Sequence, residues 1–208
     1  MKSPFFKSVC AFLEVKPIYA ALGIIFLGAC ASAQAENSHT QDLKTGLEAW
    51  HWDEGGVSVT LNQRLPDQSR AFFLGRGLLP EAVEAVAQAC VFQVIMRNSA
   101  EAASALDVDL TEWRVIPATG EPRGLRLDAE WQHQWQQQGV AQPARIAFRW
   151  SLFPTRQTFQ PGDWNMGMVT FGLPSGSEFD LELAWIRDGQ RQQARIEAMR
   201  CSADQQIQ

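Results

Sequence analysis

Residues 162–201 read GDWNMGMVTFGLPSGSEFDLELAWIRDGQRQQARIEAMRC and contain the clearest folding pattern in the chain. Asp188 and Gly189 predict a two-residue hairpin turn, because both positions of that turn need a positive φ, which these residue types tolerate. The strands on either side then bring apolar side chains together on one face. The expected facing pairs are Leu183 with Ala194, Leu181 with Ile196, and Phe179 with Ala198. The turn and the alternation agree, so we predict a C-terminal β-hairpin.

The opposite face of this hairpin is charged. Glu182 faces Arg195, an opposite-charge pair of the kind that stabilises a sheet by roughly 0.2–1 kcal/mol. Asp180 faces Glu197, which brings two like charges together and is the one discordant pair of the register.

The rest of the chain is mostly a series of short alternating segments. Further strands are predicted at residues 57–62, 91–96, 106–115 (with a bulge near 111–112) and 146–152. Helical spacing is convincing at residues 80–90, where Pro80 suits a first helical position. Shorter helices are predicted within 66–73 and 128–139. This order of elements predicts a mainly β protein.

We expect an antiparallel β-sandwich, with one α-helix near 80–90 packed at an edge and the hairpin closing the fold. An immunoglobulin-like topology is one possibility by analogy, although the Cys–Trp–Cys spacing and the tyrosine corner of that fold are absent. Residues 49–203 form a single predicted domain. A chain of this size can bury roughly 70% of its extended surface.

The first 35 residues resemble a targeting segment. Lys2, Lys7 and Lys16 precede an uncharged run, Ile18 to Ala29, that is too short to span a bilayer comfortably. Cleavage is expected either after Ala35, at an A-x-A site, or before Cys30, at a lipobox that would make Cys30 a lipidated N-terminus. Both routes export the protein. Residues 36–48 are expected to be a polar tether, and residues 204–208 a disordered tail.

The segment contains three Lys and one Glu and therefore has a formal charge of +2. Its removal changes the formal charge of the chain from −5 to −7. An acidic exported domain is a poor candidate for binding nucleic acid or anionic lipids. The remaining cysteines are Cys90 and Cys201. In an oxidising compartment a lone pair predicts one disulfide. Contact with a membrane is expected only through a lipid anchor at Cys30.

Catalytic motifs such as G-x-S-x-G, H-E-x-x-H or a Gly-rich phosphate loop are absent from the sequence. The candidate domain contains two histidines, each with a carboxylate nearby in sequence. His51 is followed by Asp53, and His133 is preceded by Glu130. A hydrolase built on either pair is therefore the weakest functional hypothesis, and we expect a protein that is not an enzyme.

Met166 and Met168 point to one face of a predicted strand, as does Trp164. Thioethers combined with an imidazole suit Cu(I), so a copper-handling protein is the alternative function. The remaining ligands would come from His51 or His133, with Met96 or Met199 as a third sulfur. Methionine also fills gaps in hydrophobic cores. The apolar pattern favours this second explanation, with the pair pointing inward. Apart from copper, no cofactor is expected.

Trp131 and Trp135 share one face whether their segment is a helix or a strand, and glutamines surround them. An indole surface with amide donors would suit a sugar ring or the side chains of a partner. His133 would join this surface only in a strand. The alternative is that both indoles pack down onto one end of the sandwich. With these residues as its surface, we expect a periplasmic accessory module that binds an envelope protein or a small ligand.

Overall fold

The computed structural model describes residues 36–204. The predicted targeting segment, with its two cleavage sites and Cys30, lies outside the described residues, as do residues 205–208. Within the described part of the chain, no helix is both long and apolar enough to cross a membrane.

Ten strands form within residues 36–204. Sheet A contains β1 to β4 and β8, and sheet B contains the other five. Their bounds are β1 Glu36–Gln41, β2 Glu48–Glu54, β3 Val57–Gln63, β4 Val91–Asn98, β5 Leu106–Asp109, β6 Arg114–Pro117, β7 Arg156–Phe159, β8 Trp164–Thr170, β9 Glu178–Arg187 and β10 Gln190–Arg200.

Four α-helices lie between the strands of the described region, and a short 3-10 turn, Leu110–Glu112, separates β5 from β6 where a bulge was predicted. The α-helices are α1 Pro66–Leu74, α2 Pro80–Ala87, α3 Asp128–Gln137 and α4 Gln142–Ser151. Pro80 occupies the first turn of α2, as expected.

The two sheets pack face to face, which confirms the predicted β-sandwich. Sheet A has the order β1-β2-β3-β4-β8, and sheet B has the order β10-β9-β5-β7 with β6 also pairing with β9; every strand pair is antiparallel. Trp52 of β2 meets Trp185 of β9 across the interface, with ring centroids 5.3 Å apart. Four consecutive strands are neighbours in sheet A, so the order differs from the immunoglobulin arrangement, in which the chain changes sheets earlier.

A second hydrophobic core lies on the outer face of sheet A. Successive residues of β4 point to opposite faces, so Phe92 enters the core between the sheets while Val91 enters this second core. All four helices contribute to it, through Phe73 of α1, Val86 of α2, Trp131 of α3 and Phe148 of α4 among others. The helix expected at an edge near 80–90 is therefore part of a layer that covers one face of a sheet, together with the two shorter helices predicted within 66–73 and 128–139 and with α4.

The C-terminal hairpin forms with the predicted turn and register near it. Leu183 pairs with Ala194, Leu181 with Ile196 and Glu182 with Arg195. Phe179 pairs with Met199 instead of Ala198, because the register shifts at a bulge in which Ala198 has a φ of 53°. The bulge removes the discordant charge pair. Asp180 accepts hydrogen bonds from Arg195 and from the backbone N–H of Ala198, and its pKa is lowered.

The strand predicted at residues 146–152 is wrong, because most of this segment belongs to helix α4. Ile146, Phe148, Trp150 and Leu152 alternate in sequence and imitate a strand. Ala144 and Phe148, however, are spaced four apart, and both are buried on one side of the helix. Over so few residues, the alternation typical of a strand and the spacing of four typical of a helix can both be present in one sequence.

Both ends of the described chain are more ordered than expected. The predicted tether contains β1, which pairs along its whole length with β2 at the edge of sheet A. Asp204, predicted to begin the disordered tail, forms an ion pair with Arg70 of α1 at 2.8 Å. Arg70 also donates hydrogen bonds to Glu84 of α2, which together with one from Gln88 lower the pKa of Glu84 to about 2. The ordered domain therefore includes Asp204.

The predicted disulfide between Cys90 and Cys201 is present, with Cα atoms 5.3 Å apart. It joins the end of the α2 region to the residue that follows β10. Beside it, Arg200 donates a hydrogen bond to the buried carboxylate of Glu48 at 2.6 Å. The last strand of sheet B is thus attached to sheet A by both a covalent bond and an ion pair.

Candidate interaction surface

Trp150 lies near the C-terminal end of α4 and is the most exposed of the tryptophans, with 83% of its surface accessible. Each helical residue advances by 100° around the axis, so Trp150 lies about 200° from Phe148. Phe148 is fully buried against Trp131 and Trp135. The packing of Phe148 against the helical core therefore holds Trp150 on the solvent side.

Strand β8 extends the exposed apolar area. Trp164, Met166 and Met168 point to the outer face of sheet A, because side chains two apart in a strand share a face. Met168 is covered by the helices and is 7% exposed, whereas Trp164 and Met166 lie beyond them and are each 51% exposed. The edge of the helical layer therefore divides one strand face into a buried and an open part.

The chain that leaves α4 approaches β8 very closely. The N–H of Phe153 donates to the carbonyl of Met168 at 2.8 Å, and Leu152 forms a bridge with the same residue. A Cβ on Gly167 would lie 2.3 Å from the backbone N of Phe153, so only glycine fits there. This contact sets the position of Trp150 relative to β8.

Trp150 and Met166 line one open groove of about 450 Å³, together with Leu152, Pro154 and Asn165; we call it the α4–β8 groove. Trp164 is two residues before Met166 on the same strand face. We refer to Trp150, Met166 and Trp164 as the aromatic surface. They form a contiguous exposed patch of large apolar side chains, rimmed by polar ones.

The rim of the aromatic surface is charged. Arg149 donates to Asp128 at 2.8 Å, which closes one side of the groove with an ion pair. On the other side, the Arg97 guanidinium lies 4.9 Å from the Trp164 ring centroid, a cation–π contact. No carboxylate of the described residues lies within 4 Å of Arg97, so its charge is not compensated by an ion pair.

The surface predicted at Trp131 and Trp135 is wrong, because both indoles are fully buried in the second core. They do share a face of α3, as predicted, but that face packs on sheet A. Trp131 donates to the hydroxyl of Thr170 at 3.0 Å, and Arg126 covers its ring at 3.5 Å. His133 lies on the exposed side of α3, about 200° from each indole. Both indoles are therefore packed, as the alternative expected, but onto the outer face of sheet A and not onto one end of the sandwich.

The copper ligands proposed from the sequence do not come together. Met96 and Met199 are buried between the two sheets, whereas Met166 and Met168 lie on the outer face of sheet A. Sheet A thus separates the two pairs of sulfurs. We expected the Met pair to point into the core between the sheets, and this expectation is wrong. Met166 and Met168 lie on the outer face of sheet A, where the helices form a second core that covers Met168.

His51 is on the same outer face as Met166 but is not close to it. The register places His51, Thr60, Ile95 and Met166 in one row across four neighbouring strands. Three strand spacings separate the histidine from the methionine by about 14 Å, too far for one ion to bind both. His133 hydrogen-bonds with Gln137 on α3. The described residues include no cluster of three His, Cys, Asp or Glu suited to a metal ion.

Neither predicted histidine–carboxylate pair forms an ion pair in the described region. His51 Nδ1 lies 3.0 Å from the hydroxyl of Thr60, and Glu130 accepts from the N–H of Leu127 at the start of α3. Among the described histidines, only His39 lies within 4 Å of a carboxylate, that of Glu48 at 3.9 Å. The proposed hydrolase pairs therefore lack the contact that a general base needs.

A larger cavity, of about 550 Å³, lies on the outer face of sheet B. Its apolar floor includes Ile186, and its sides contain two ion pairs. Asp109 pairs with Arg156 at 2.6 Å, and Glu112 lies 3.9 Å from Arg191. These charges compensate each other, and only one large apolar side chain there is strongly exposed. The cavity is bigger than the groove between α4 and β8, but it exposes one large apolar side chain, whereas the aromatic surface exposes three.

No protein-family model, no curated protein and no solved structure matches this chain. The class of protein is therefore defined by its fold: a β-sandwich with a helical layer on one sheet and an aromatic surface where that layer ends. The site was missed in the sequence because Trp150 was assigned to a strand. The spacing of Ala144, Phe148 and Leu152, with Pro143 before them, is the signal that would have placed it on a helix.

Proposed function

We propose that this protein is an exported, non-enzymatic accessory module of the cell envelope that binds a partner protein through the aromatic surface. The observation that carries the proposal is the exposure of Trp150 at 83%, next to Trp164 and Met166 at 51% each. Contiguous exposed apolar patches with a polar rim are typical of protein interaction sites. Tryptophan is also strongly enriched among the residues that dominate binding energy.

The exposed apolar side chains would supply a substantial part of the binding free energy. Complete burial of a large apolar side chain contributes roughly 1.5–3 kcal/mol. Three half- to fully exposed side chains would therefore contribute on the order of 3–6 kcal/mol before the cost of association. This supports a partner that covers the whole patch.

The rim indicates the chemistry of the partner. The α4–β8 groove between Trp150 and Met166 suits an inserted apolar side chain, and the uncompensated Arg97 suits a carboxylate beside it. The Asp128–Arg149 pair is already satisfied and would remain at the edge. We therefore expect a protein surface with a central apolar residue flanked by an acidic one.

Export is supported by two independent features. The first 35 residues have the composition of a targeting segment. The Cys90–Cys201 disulfide is of the kind that persists in oxidising compartments such as the periplasm. A lipid anchor at Cys30 would hold the domain at a membrane, and cleavage after Ala35 would release it.

The proposal is tested by affinity capture from detergent-solubilised envelope extract, with the mature protein as bait. Trp150→Ala and Trp164→Ala are expected to weaken capture of the specific partner at least about tenfold, since each removes a large apolar contact. Ile186→Ala is the matched control, because Ile186 is also about half exposed (46%) but lies on the opposite sheet. Arg97→Glu should weaken capture as well, by repelling the expected carboxylate.

Both tryptophans are exposed, so their replacement should change the free energy of unfolding by less than about 0.5 kcal/mol. Thermal unfolding of each variant checks this. A partner retained equally by the wild type, Trp150→Ala and Trp164→Ala would refute the proposal, as would a partner lost only with Ile186→Ala.

A further inference from the structure

The four described methionines differ sharply in their access to solvent. Met96 and Met199 are fully buried between the sheets, and Met168 is 7% exposed beneath the helices. Met166, only two residues from Met168 on the same strand face, is 51% exposed. Thioether oxidation by dissolved oxidants follows exposure, so the fold makes one of these four sulfurs far more accessible than the others.

We propose that Met166 is a site of reversible oxidation by peroxides. In the reaction the Met166 sulfur attacks one oxygen of hydrogen peroxide. A sulfur–oxygen bond forms and the oxygen–oxygen bond breaks. The sulfur loses two electrons to give the sulfoxide, and the peroxide is reduced to water. A methionine sulfoxide reductase can restore the thioether with electrons from thiols.

The surroundings of the sulfur suit the product as well as the reactant. The side-chain amide of Gln93, on the neighbouring strand β4, places its Nε2 at 3.8 Å from the Met166 sulfur. A thioether is a weak acceptor for this N–H, whereas a sulfoxide oxygen is a strong one. The oxidised side chain therefore gains a hydrogen bond without a change of strand register.

Oxidation would act on the binding surface itself. Met166 lies in the α4–β8 groove with Trp150 and two residues from Trp164. A sulfoxide makes the centre of this patch polar, and a partner that buries it must then desolvate the new oxygen. This consequence, unlike the oxidation itself, rests on the proposed partner-binding function. The sulfoxide form is expected to bind the partner at least about tenfold more weakly.

The oxidation site is tested by treating the folded mature protein with hydrogen peroxide and mapping peptides by mass spectrometry over time. Met166 should be oxidised at least about tenfold faster than Met96, Met168 and Met199. In urea the four rates should converge, because the selectivity comes from burial. If Met168 or Met199 is oxidised as fast as Met166 in the folded protein, the assignment is refuted.

The effect on binding is tested in the envelope-extract capture with three preparations of the wild-type bait: untreated, peroxide-treated, and treated and then reduced with methionine sulfoxide reductases. Capture should fall in the second and return in the third. If Trp150→Ala removes the partner but the Met166 sulfoxide does not weaken capture, the regulatory inference fails alone. If Trp150→Ala has no effect, the proposed function fails, while the oxidation rates still decide the modification site.

Discussion

Reduction of the Cys90–Cys201 disulfide is expected to lower the free energy of unfolding by about 5 kcal/mol. The two cysteines are 111 residues apart, so the bond closes a loop that includes most of the domain. In the chain-entropy description, a loop of this length removes about 16 cal/mol/K from the unfolded chain, which corresponds to about 5 kcal/mol at 25 °C. Domains of this kind are typically stable by only about 5–15 kcal/mol.

The position of the bond indicates where the loss would be felt first. Without it, the end of β10 is held to sheet A by the packing of Met199 in the core between the sheets and by polar contacts of Arg200. Arg200 pairs with Glu48 of β2 at 2.6 Å, and its carbonyl accepts a hydrogen bond from Gln63 of β3 at 2.7 Å. Beyond the strand, Asp204 pairs with Arg70 of α1 at 2.8 Å. Both arginines remain partly exposed, and exposed ion pairs contribute little to stability. The reduced protein should therefore have a weakened C-terminal strand as well as a lower global stability.

The assay is urea unfolding followed by tryptophan fluorescence, on oxidised protein and on protein reduced in denaturant and refolded with a thiol. Both sulfurs are buried, so reduction must take place in the unfolded state. The melting temperature should fall by about 10–20 °C. The Cys90→Ala/Cys201→Ala double variant is the control and should not respond to the thiol. A loss below about 1 kcal/mol in the reduced wild type would refute the loop-entropy argument.

Two further predictions concern backbone packing and acid stability. Gly167→Ala should lower the free energy of unfolding by about 1–3 kcal/mol, because the new Cβ would meet the Phe153 backbone. Gly124→Ala is the control, since a Cβ at that position meets nothing within 4 Å. Equal melting temperatures for the two variants would contradict the reasoning. Arg70→Met should remove stability that the wild type has above about pH 4.3, the pKa of a free Glu. Arg70 lowers the pKa of Glu84 to about 2 and also lowers that of Asp204. The difference in free energy of unfolding between the wild type and Arg70→Met should therefore shrink as the pH falls from about 5 towards 2. A difference that does not change with pH in urea titrations would count against this cause.

Features that depend on neighbouring residues were predictable from the sequence. The hairpin turn at Asp188-Gly189 is determined by two residues, and the alternation beside it determines the register as far as Ile196. The bulge at Ala198 was not predictable, since it depends on the Asp180 carboxylate accepting the Ala198 N–H across the hairpin. The disulfide followed from the number of cysteines left after the expected export.

The sequence analysis predicted the type of site, an exposed indole surface, but assigned it to the wrong residues. An exposed indole surface was expected at Trp131 and Trp135, and the structure has one at Trp150 and Trp164. The spacing of Trp131 and Trp135 correctly indicated a shared face. It contained no information about whether that face meets solvent or a sheet. For Trp150, a four-residue alternation was compatible with both a strand and a helix, and the wrong choice assigned its side chain to a half-buried strand.

The sequence by itself determined the local elements of this protein: the C-terminal hairpin, helix α2, most strands of the sandwich and the pairing of Cys90 with Cys201. Only the tertiary structure decided which apolar faces are covered. Periodicity states which side chains share a face, but burial depends on what packs against that face from elsewhere in the chain. The four helices pack on sheet A and thereby bury Trp131 and Trp135 of α3 together with Met168 of β8, and their layer ends before Met166 and Trp164. The aromatic surface exists because the covering layer stops there.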